Sequence, residues 1–419
     1  MNARINDGRS ASACGQVPVM PDGALSHVRV IELGSFIAGP FCGQLLADLG
    51  AEVIKVEPPI VGDAMRQWGA VKATNGRSLW WSVIGRNKRS ITLDLRKPEG
   101  QRIVRELARD ADVLIENFRP GTLERWGLAP GDLRQENDRL IVARVSGFGQ
   151  TGPYSDKAGF GAVAEAASGL RSLTGHPDRM PARVGISIGD SLAGLYAAIG
   201  VLAALVARPG RKGGGQDVDV SIAESVLGVI ESVIAEFAET GAIRQRTGPI
   251  LPGIAPSNLY PTADGRPVLI AANADGLFSK LAMAMDAAEL AIDERFSSHA
   301  SRGRYQHELD EIIAAWTATK TLPDLLSLMD EHGIPAGPVN DARAVARDPH
   351  FRAREAVLEV PDATLGSVTM QGVFPKLSAT PGRIRWTGPE LGADTDDILS
   401  RRLGYSAEQV ARLRQDGVT

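Results

Sequence analysis

Between positions 28 and 222 the chain alternates short apolar runs with stretches of helical spacing, and that alternation leaves few folds open. VRVIEL at 28–33 is followed by GPFCGQLLADL at 39–49, a Gly50 stop and a second apolar run at 52–56. Strand, helix and strand in that order make a βαβ unit. The rhythm repeats with a helix from Pro98, a strand over 112–115, more helix, and LIVARV at 140–145. Strands that read as unbroken apolar runs are buried on both faces, so the spacing predicts a parallel sheet covered by helices on both sides. Further strands are expected over 184–188 and 218–222, leading into helices over 190–207 and 224–239.

Past Gly241 the texture changes. GPILPGIAP at 248–256 breaks the rhythm and reads as a linker. It is followed by a hairpin turning at Asp264-Gly265, amphipathic helices over 304–317 and 322–332, strands over 355–360 and 367–371, and a capped final helix over 406–416. The segment after the linker reads as a smaller α+β domain.

Composition narrows the function classes. Lys+Arg 46 against Asp+Glu 50 leaves a net charge of -4, which argues against a nucleic-acid surface. Two cysteines, Cys14 and Cys42, cannot build a disulfide framework, and six scattered histidines show no metal-ligand spacing. A reducing, cytoplasmic compartment is expected. Residues 1–24 lack an apolar segment of the signal-peptide kind and read as a loose arm. The longest uncharged run, 191–207, falls short of the ~20 residues that cross a bilayer and reads as a buried helix rather than a membrane span.

Several residues are placed to carry chemistry. GFGQTG at 147–152 has the glycines of a dinucleotide fingerprint, but Pro153-Tyr154 follow where a helix must open, and no acidic residue stands at 170–173. Asp190 in VGISIGDSLAGLYAAIG is expected on a strand-to-helix turn, where a carboxylate can act as a nucleophile beside free helix amides. The same Asp-Ser pair before an apolar helix also reads as an N-cap worth ~1 kcal/mol. Arg86, Lys88, Arg89, Arg96 and Lys97 crowd into 85–97, either to grip phosphates or as charges on a strand edge. Asn117 and Phe118 end the strand DVLIENF at the carboxyl edge of the sheet, where α/β ligands lie, and Arg125 stands two turns on. His176 and His350 have no nucleophile-elbow partner, and Cys42 reads as packing.

With these residues laid out, the chain resembles the family III CoA-transferases of the CaiB/BaiF type over roughly 26–416. The matching motifs are VRVIELGSFIAGPFCGQLLADLGAEVIKVEPP, GRNKRSITLDL, DVLIENFRPGTLERWGL, VSGFGQTGPY, AGFGAVAEAASGL and GISIGDSLAGLYAAIG. The resemblance implies an aspartate nucleophile at Asp190, working through an aspartyl anhydride and an aspartyl-CoA thioester. It implies CoA contacts from Phe36, Ile37, Lys88, Arg89, Asn117, Phe118 and Arg125. No permanently bound cofactor or metal is implied; coenzyme A thioester is a substrate, and a carboxylic acid, such as a dicarboxylate taking CoA from succinyl-CoA, is the acceptor. The fold it implies is a Rossmann-like large α/β domain built from both chain ends, 25–245 and 351–419, a small α+β domain over 246–350, and an interlocked homodimer.

The chain also departs from some members, with Ile37 where they carry Gln, Ser146 where they carry a basic residue and Gly149 where they carry Glu. Their glycine-rich loop has only GPILPG at 248–253 as a counterpart, stiffened by Pro249 and Pro252. An α-methylacyl-CoA racemase of the same fold is an alternative, although GFG at 159–161 lacks the histidine that such an enzyme pairs with its aspartate. A CoA-binding paralogue without turnover is another.

Overall fold

The computed structural model describes residues 23–208 and 214–419. The arm expected over 1–24, apart from its last two residues, and Cys14 lie outside the described residues.

Six parallel strands form the main sheet: β1 (Arg29–Glu32), β2 (Glu52–Glu57), β3 (Lys88–Thr92), β4 (Val113–Glu116), β5 (Ile141–Ser146) and β6 (Asp217–Ser221). Their order is β3-β2-β1-β4-β5-β6. Chain direction across the sheet reverses between β1 and β4, so the loops leaving those two strands diverge and open a crevice at the carboxyl edge. Every residue of β4 and β5 is buried, including the paired Glu116 and Arg144 that interrupt their apolar runs.

Helices close both faces. On one, α1 (Ala38–Asp48) and the long helix Ile188–Ala207 pack together. Cys42, Leu46, Ala193, Ala197 and Val201 meet there with Val113 and Val145 of the sheet. Ile188–Ala207 has the length and apolarity of a membrane span, yet this face is part of the core. Its opposite face leaves Leu195, Tyr196, Ile199 and Val206 exposed. On the other sheet face the helix Pro98–Ala108 shares a core with the chain's end, where Ile398, Leu399, Val410, Leu413 and Val418 pack against Ile31, Ile91 and Leu114. Asp394 accepts the Ser90 amide (2.9 Å) and Thr395 the Thr92 amide (3.1 Å), fastening the returning segment to β3.

Residues 255–334 build a separate apolar cluster around Tyr260, Ile270, Phe278, Phe296, Leu309 and Leu325. Its sheet is antiparallel, with β7 (Ser257–Tyr260), β8 (Val268–Ala271) and β9 (Ala336–Pro338). A hairpin, β10 (Val357–Asp362) with β11 (Gly366–Gln371), precedes the return.

Two local expectations fail. No strand forms over 184–188: the segment is irregular around Gly185, and its last residue, Ile188, already opens the long helix. The helix begins at Ile188 with Ser187 as its N-cap, so Asp190 lies inside the first helical turn rather than capping it. The helix expected over 224–239 is two helices, Ile222–Leu227 and Val233–Thr240, interrupted beyond Gly228.

Candidate active site

The crevice at the carboxyl edge starts from a buried charge network. Glu32, ending β1, and Lys55 on β2 are 3.1 Å apart, Lys55 reaches Asp63 at 2.8 Å, and Lys88 on β3 reaches Glu32 at 2.8 Å. All four are at most 1% exposed. Burial opposes the charge on Lys55, but Asp63, Glu32 and Glu57 override it and hold the ammonium well above its ordinary range. Only a glycine fits above Glu32, because a Cβ on Gly43 of α1 would lie 1.8 Å from its Oε2.

This network supports the loop that follows β1. Lys55 donates to the Gly34 carbonyl, and Asp63 accepts the Phe36 amide at 3.2 Å. Asn117 grips the same loop from β4, accepting the Ser35 amide (2.8 Å) and donating to the Ser35 carbonyl (2.7 Å). Phe36 is thereby held at φ 65°, a costly conformation for a bulky residue that persists only where its surroundings enforce it.

Beside this loop lies a cleft of about 620 Å³ lined by Leu33, Ser35, Pro58, Phe118, Trp126 and Arg96, among others. Phe118 stands edge-to-face on Trp126, with centroids 5.0 Å apart. Arg125 is exposed on the following short helix and donates to Thr122 at 2.8 Å. Of the residues expected to contact CoA, Phe118 lines this cleft and Asn117 holds the Ser35 backbone at its edge, whereas Phe36 packs edge-to-face on Trp68 and Phe160, and Ile37 lines a separate cavity of about 630 Å³ with Ser187 and Ser191.

The basic run over 85–97 is distributed differently. Arg86 is buried on Asp48 (2.6 Å), and Lys88 is enclosed by Glu32 and the Pro40 carbonyl. Arg89 faces Glu52, Asp394 and Asp397. Lys88 and Arg89, successive residues of β3, point to opposite faces and each finds carboxylates there, while Arg86 precedes the strand and pairs with Asp48. Arg96 is the exception, 82% exposed at the cleft although it also binds Asp94. The sequence named Arg96 only as one of five cations in the run and did not mark Trp126 or Asp63; the charge of the run was legible, but not which of its side chains is left exposed at the cleft.

Asp190 occupies a second place, at the opening of the long helix. Its carboxylate lies against Gly161 at the start of the helix Gly161–Ala167, where an added Cβ would come within 2.3 Å of Oδ2. Among the described residues it forms no ion pair. Burial and the neighbouring Glu165 push its pKa up to about 6, and Arg183 opposes them. Arg183 is exposed and makes one long contact, 3.5 Å to Ser187 Oγ. Gly248 of the 248–253 loop donates its amide to Gly175 (3.0 Å) and packs on the His176 ring.

A family model described as CoA-transferase family III matches residues 25–395. The chain belongs to that family. The succinyl-CoA–D-citramalate CoA-transferase of Chloroflexus aurantiacus is 56% identical, over 94% of this chain and 98% of that protein. The beta subunit of the same organism's succinyl-CoA–L-malate CoA-transferase is 41% identical over 94% and 98%. A crystal structure of a CaiB/BaiF family protein from Brucella suis superposes with a TM-score of 0.80 at 34% identity, covering 91% of this chain and all of that one.

The chain is thus an enzyme, a family III CoA-transferase acting on CoA thioesters and carboxylates. In this CoA-transferase the groups acting on Asp190 are a carboxylate and a guanidinium, not the histidine a racemase would need.

Proposed function

We propose that this CoA-transferase moves CoA from succinyl-CoA to a second dicarboxylic acid, with Asp190 as the nucleophile. The observation that carries the reading is the Asp190 carboxylate itself: half-buried, seated on Gly161, free of ion pairs among the described residues, and kept more basic than an ordinary aspartate. A carboxylate locked in a salt bridge is a poor nucleophile, and this one is not so locked. The named substrates of the similar transferases, succinyl-CoA with citramalate or malate, support the substrate class.

In the proposed sequence, an Asp190 oxygen attacks the thioester carbonyl; a C–O bond forms, the C–S bond breaks, and CoA leaves as thiolate. The thiolate attacks the Asp190 carbonyl of the resulting anhydride and expels succinate. The acceptor carboxylate then attacks the aspartyl-CoA thioester, and the thiolate returns to the acceptor carbonyl, freeing Asp190.

In the same reading CoA lies in the crevice at the carboxyl edge, against Phe36, Ile37, Asn117, Phe118 and Arg125, with Arg96 as a further cation for its phosphates. Lys88 and Arg89 enter as supports of that crevice. Residues 25–245 and 351–419 act as a large domain and 246–350 as a small one. The exposed apolar face of the long helix, with Ile234 and Phe237 also uncovered, supports burial in an interlocked homodimer. A cytoplasmic enzyme without a resident cofactor fits this chemistry.

The test is trapping. Hydroxylamine added during turnover with succinyl-CoA should convert Asp190 to a hydroxamate, located by peptide mass spectrometry. Asp190→Ala should lower kcat by about 10⁴-fold or more while remaining folded. Turnover without an adduct at Asp190 refutes the covalent reading.

A further inference from the structure

Glu165 is a carboxylate that the mechanism above does not use. It is 1% exposed, on the helix Gly161–Ala167 in an otherwise small-residue stretch, GAVAEAA. Its Oε1 accepts the amide of Gly189, one residue before Asp190, at 3.4 Å, and its chain packs under Gly189, where a Cβ would meet Glu165 Cγ at 3.1 Å. Its Oε2 lies 3.4 Å from the Arg171 guanidinium, a loose pairing for a buried charge. The charged groups facing Asp190 are therefore Glu165 from this helix, with Arg171 behind it, and Arg183 from the segment that leads into the long helix.

We propose that Glu165 is a positioning residue that holds the first turn of the long helix and, through its charge, makes the Asp190 carboxylate a stronger nucleophile and a poorer leaving group. The inference rests on the covalent reading and adds a direction to it. In the anhydride, thiolate attack at the Asp190 carbonyl breaks the bond to succinate and goes forward, whereas attack at the succinyl carbonyl breaks the bond to Asp190 and returns the donor. Expulsion favours the less basic carboxylate. With Glu165 beside it, Asp190 is the more basic of the two, so succinate departs and the aspartyl-CoA thioester forms.

Glu165→Gln keeps an acceptor for the Gly189 amide and removes the charge. Its acid limb in kcat/KM should move from about pH 6 toward about pH 5, the size of effect a neighbouring like charge produces, and kcat at pH 8 should fall about tenfold with KM within about twofold. Arg171→Gln leaves Glu165 unopposed and should move the acid limb the opposite way, above pH 6. Opposite displacements support the proposal; acid limbs that stay together with the wild type, or move in the same direction, overturn it. Hydroxylamine trapping in all three proteins separates the layers: an Asp190 adduct with immobile limbs overturns the role of Glu165 alone, and no adduct in the wild type overturns the covalent reading beneath it.

Discussion

Around Glu32 and Asp63, buried carboxylates lie within 3.1 Å of Lys55 or Lys88, and Lys55 is held more firmly protonated than free lysine. Around Asp190 the near carboxylate is Glu165, of like sign, and the cation Arg183 is exposed and without an ion pair among the described residues. Both clusters are carboxylate-bearing and sit beside a glycine whose added Cβ would meet the carboxylate, Gly43 over Glu32 and Gly161 over Asp190. The difference is neutralisation. In the first cluster, opposite charges fix a backbone loop in a costly shape; in the second, a like charge leaves a carboxylate unneutralised, as the proposed nucleophile requires. A protein uses the first arrangement for shape and the second where a group must do chemistry.

The comparison breaks most visibly at Lys55. Lys55→Met leaves Glu32 and Asp63 with one ammonium fewer in a dry interior, and removing one partner of a buried pair costs about 3–5 kcal/mol. The expected outcome is a urea midpoint lowered in proportion, together with a raised KM for the CoA ester, because the Gly34 carbonyl loses its donor. Adding Asp63→Asn should recover most of the stability, since the uncompensated charge is then gone. A Lys55→Met protein of wild-type stability would mean that the network is solvated and does not shape the loop.

This contrast marks what the sequence carried. The parallel sheet was legible because apolar strand centres alternate with helices whose ends are marked, from the stop at Gly50 to the N-terminal capping box at Ser406 and Gln409. Asp190, Asn117 and Phe118 were legible as residues where strands end and helices begin, although Asp190 came with a strand that does not exist. Strand formation needs a partner edge, which a single segment cannot reveal. The fate of 85–97 was illegible for a related reason: whether a basic side chain grips a ligand or a carboxylate depends on residues some 300 positions away, such as Asp394 and Asp397 for Arg89. Glu165 was invisible because one acid in GAVAEAA has no pattern until Gly189 arrives against it.

A smaller effect is expected at Gly161, where the two clusters can be told apart by activity alone. Gly161 has no left-handed backbone requirement, and alanine is the better helix former, so Gly161→Ala should leave stability unchanged or slightly higher. The new methyl would occupy the place of the Asp190 carboxylate, and that carboxylate, at the end of a side chain, would swing away. Misplacing a reacting group by about 1 Å can cost about 10²-fold. A kcat loss of that order with an unchanged melting temperature is the expected result, and equal loss of both would make Gly161 a packing residue only.

The smallest effect sharpens the contrast most, because it has opposite signs at the two clusters. Neutralising Asp63 or Lys55 singly destabilises, whereas Asp190→Asn should stabilise. Burial and Glu165 raise the Asp190 pKa from its ordinary 3.8 to about 6. Below about pH 4 the aspartate is protonated both folded and unfolded, and asparagine confers no advantage. Between about pH 4 and pH 6 the unfolded chain ionises while the folded one resists, so wild-type stability falls as pH rises; above pH 6 the penalty is constant. The group is partly solvated, so the penalty is discounted to about 1 kcal/mol. Asp190→Asn should therefore melt about 2 °C higher than wild type at pH 8, with the gap closing toward pH 4. A gap of the opposite sign would place Asp190 with the neutralised carboxylates of the first cluster and remove the reason for regarding it as poised.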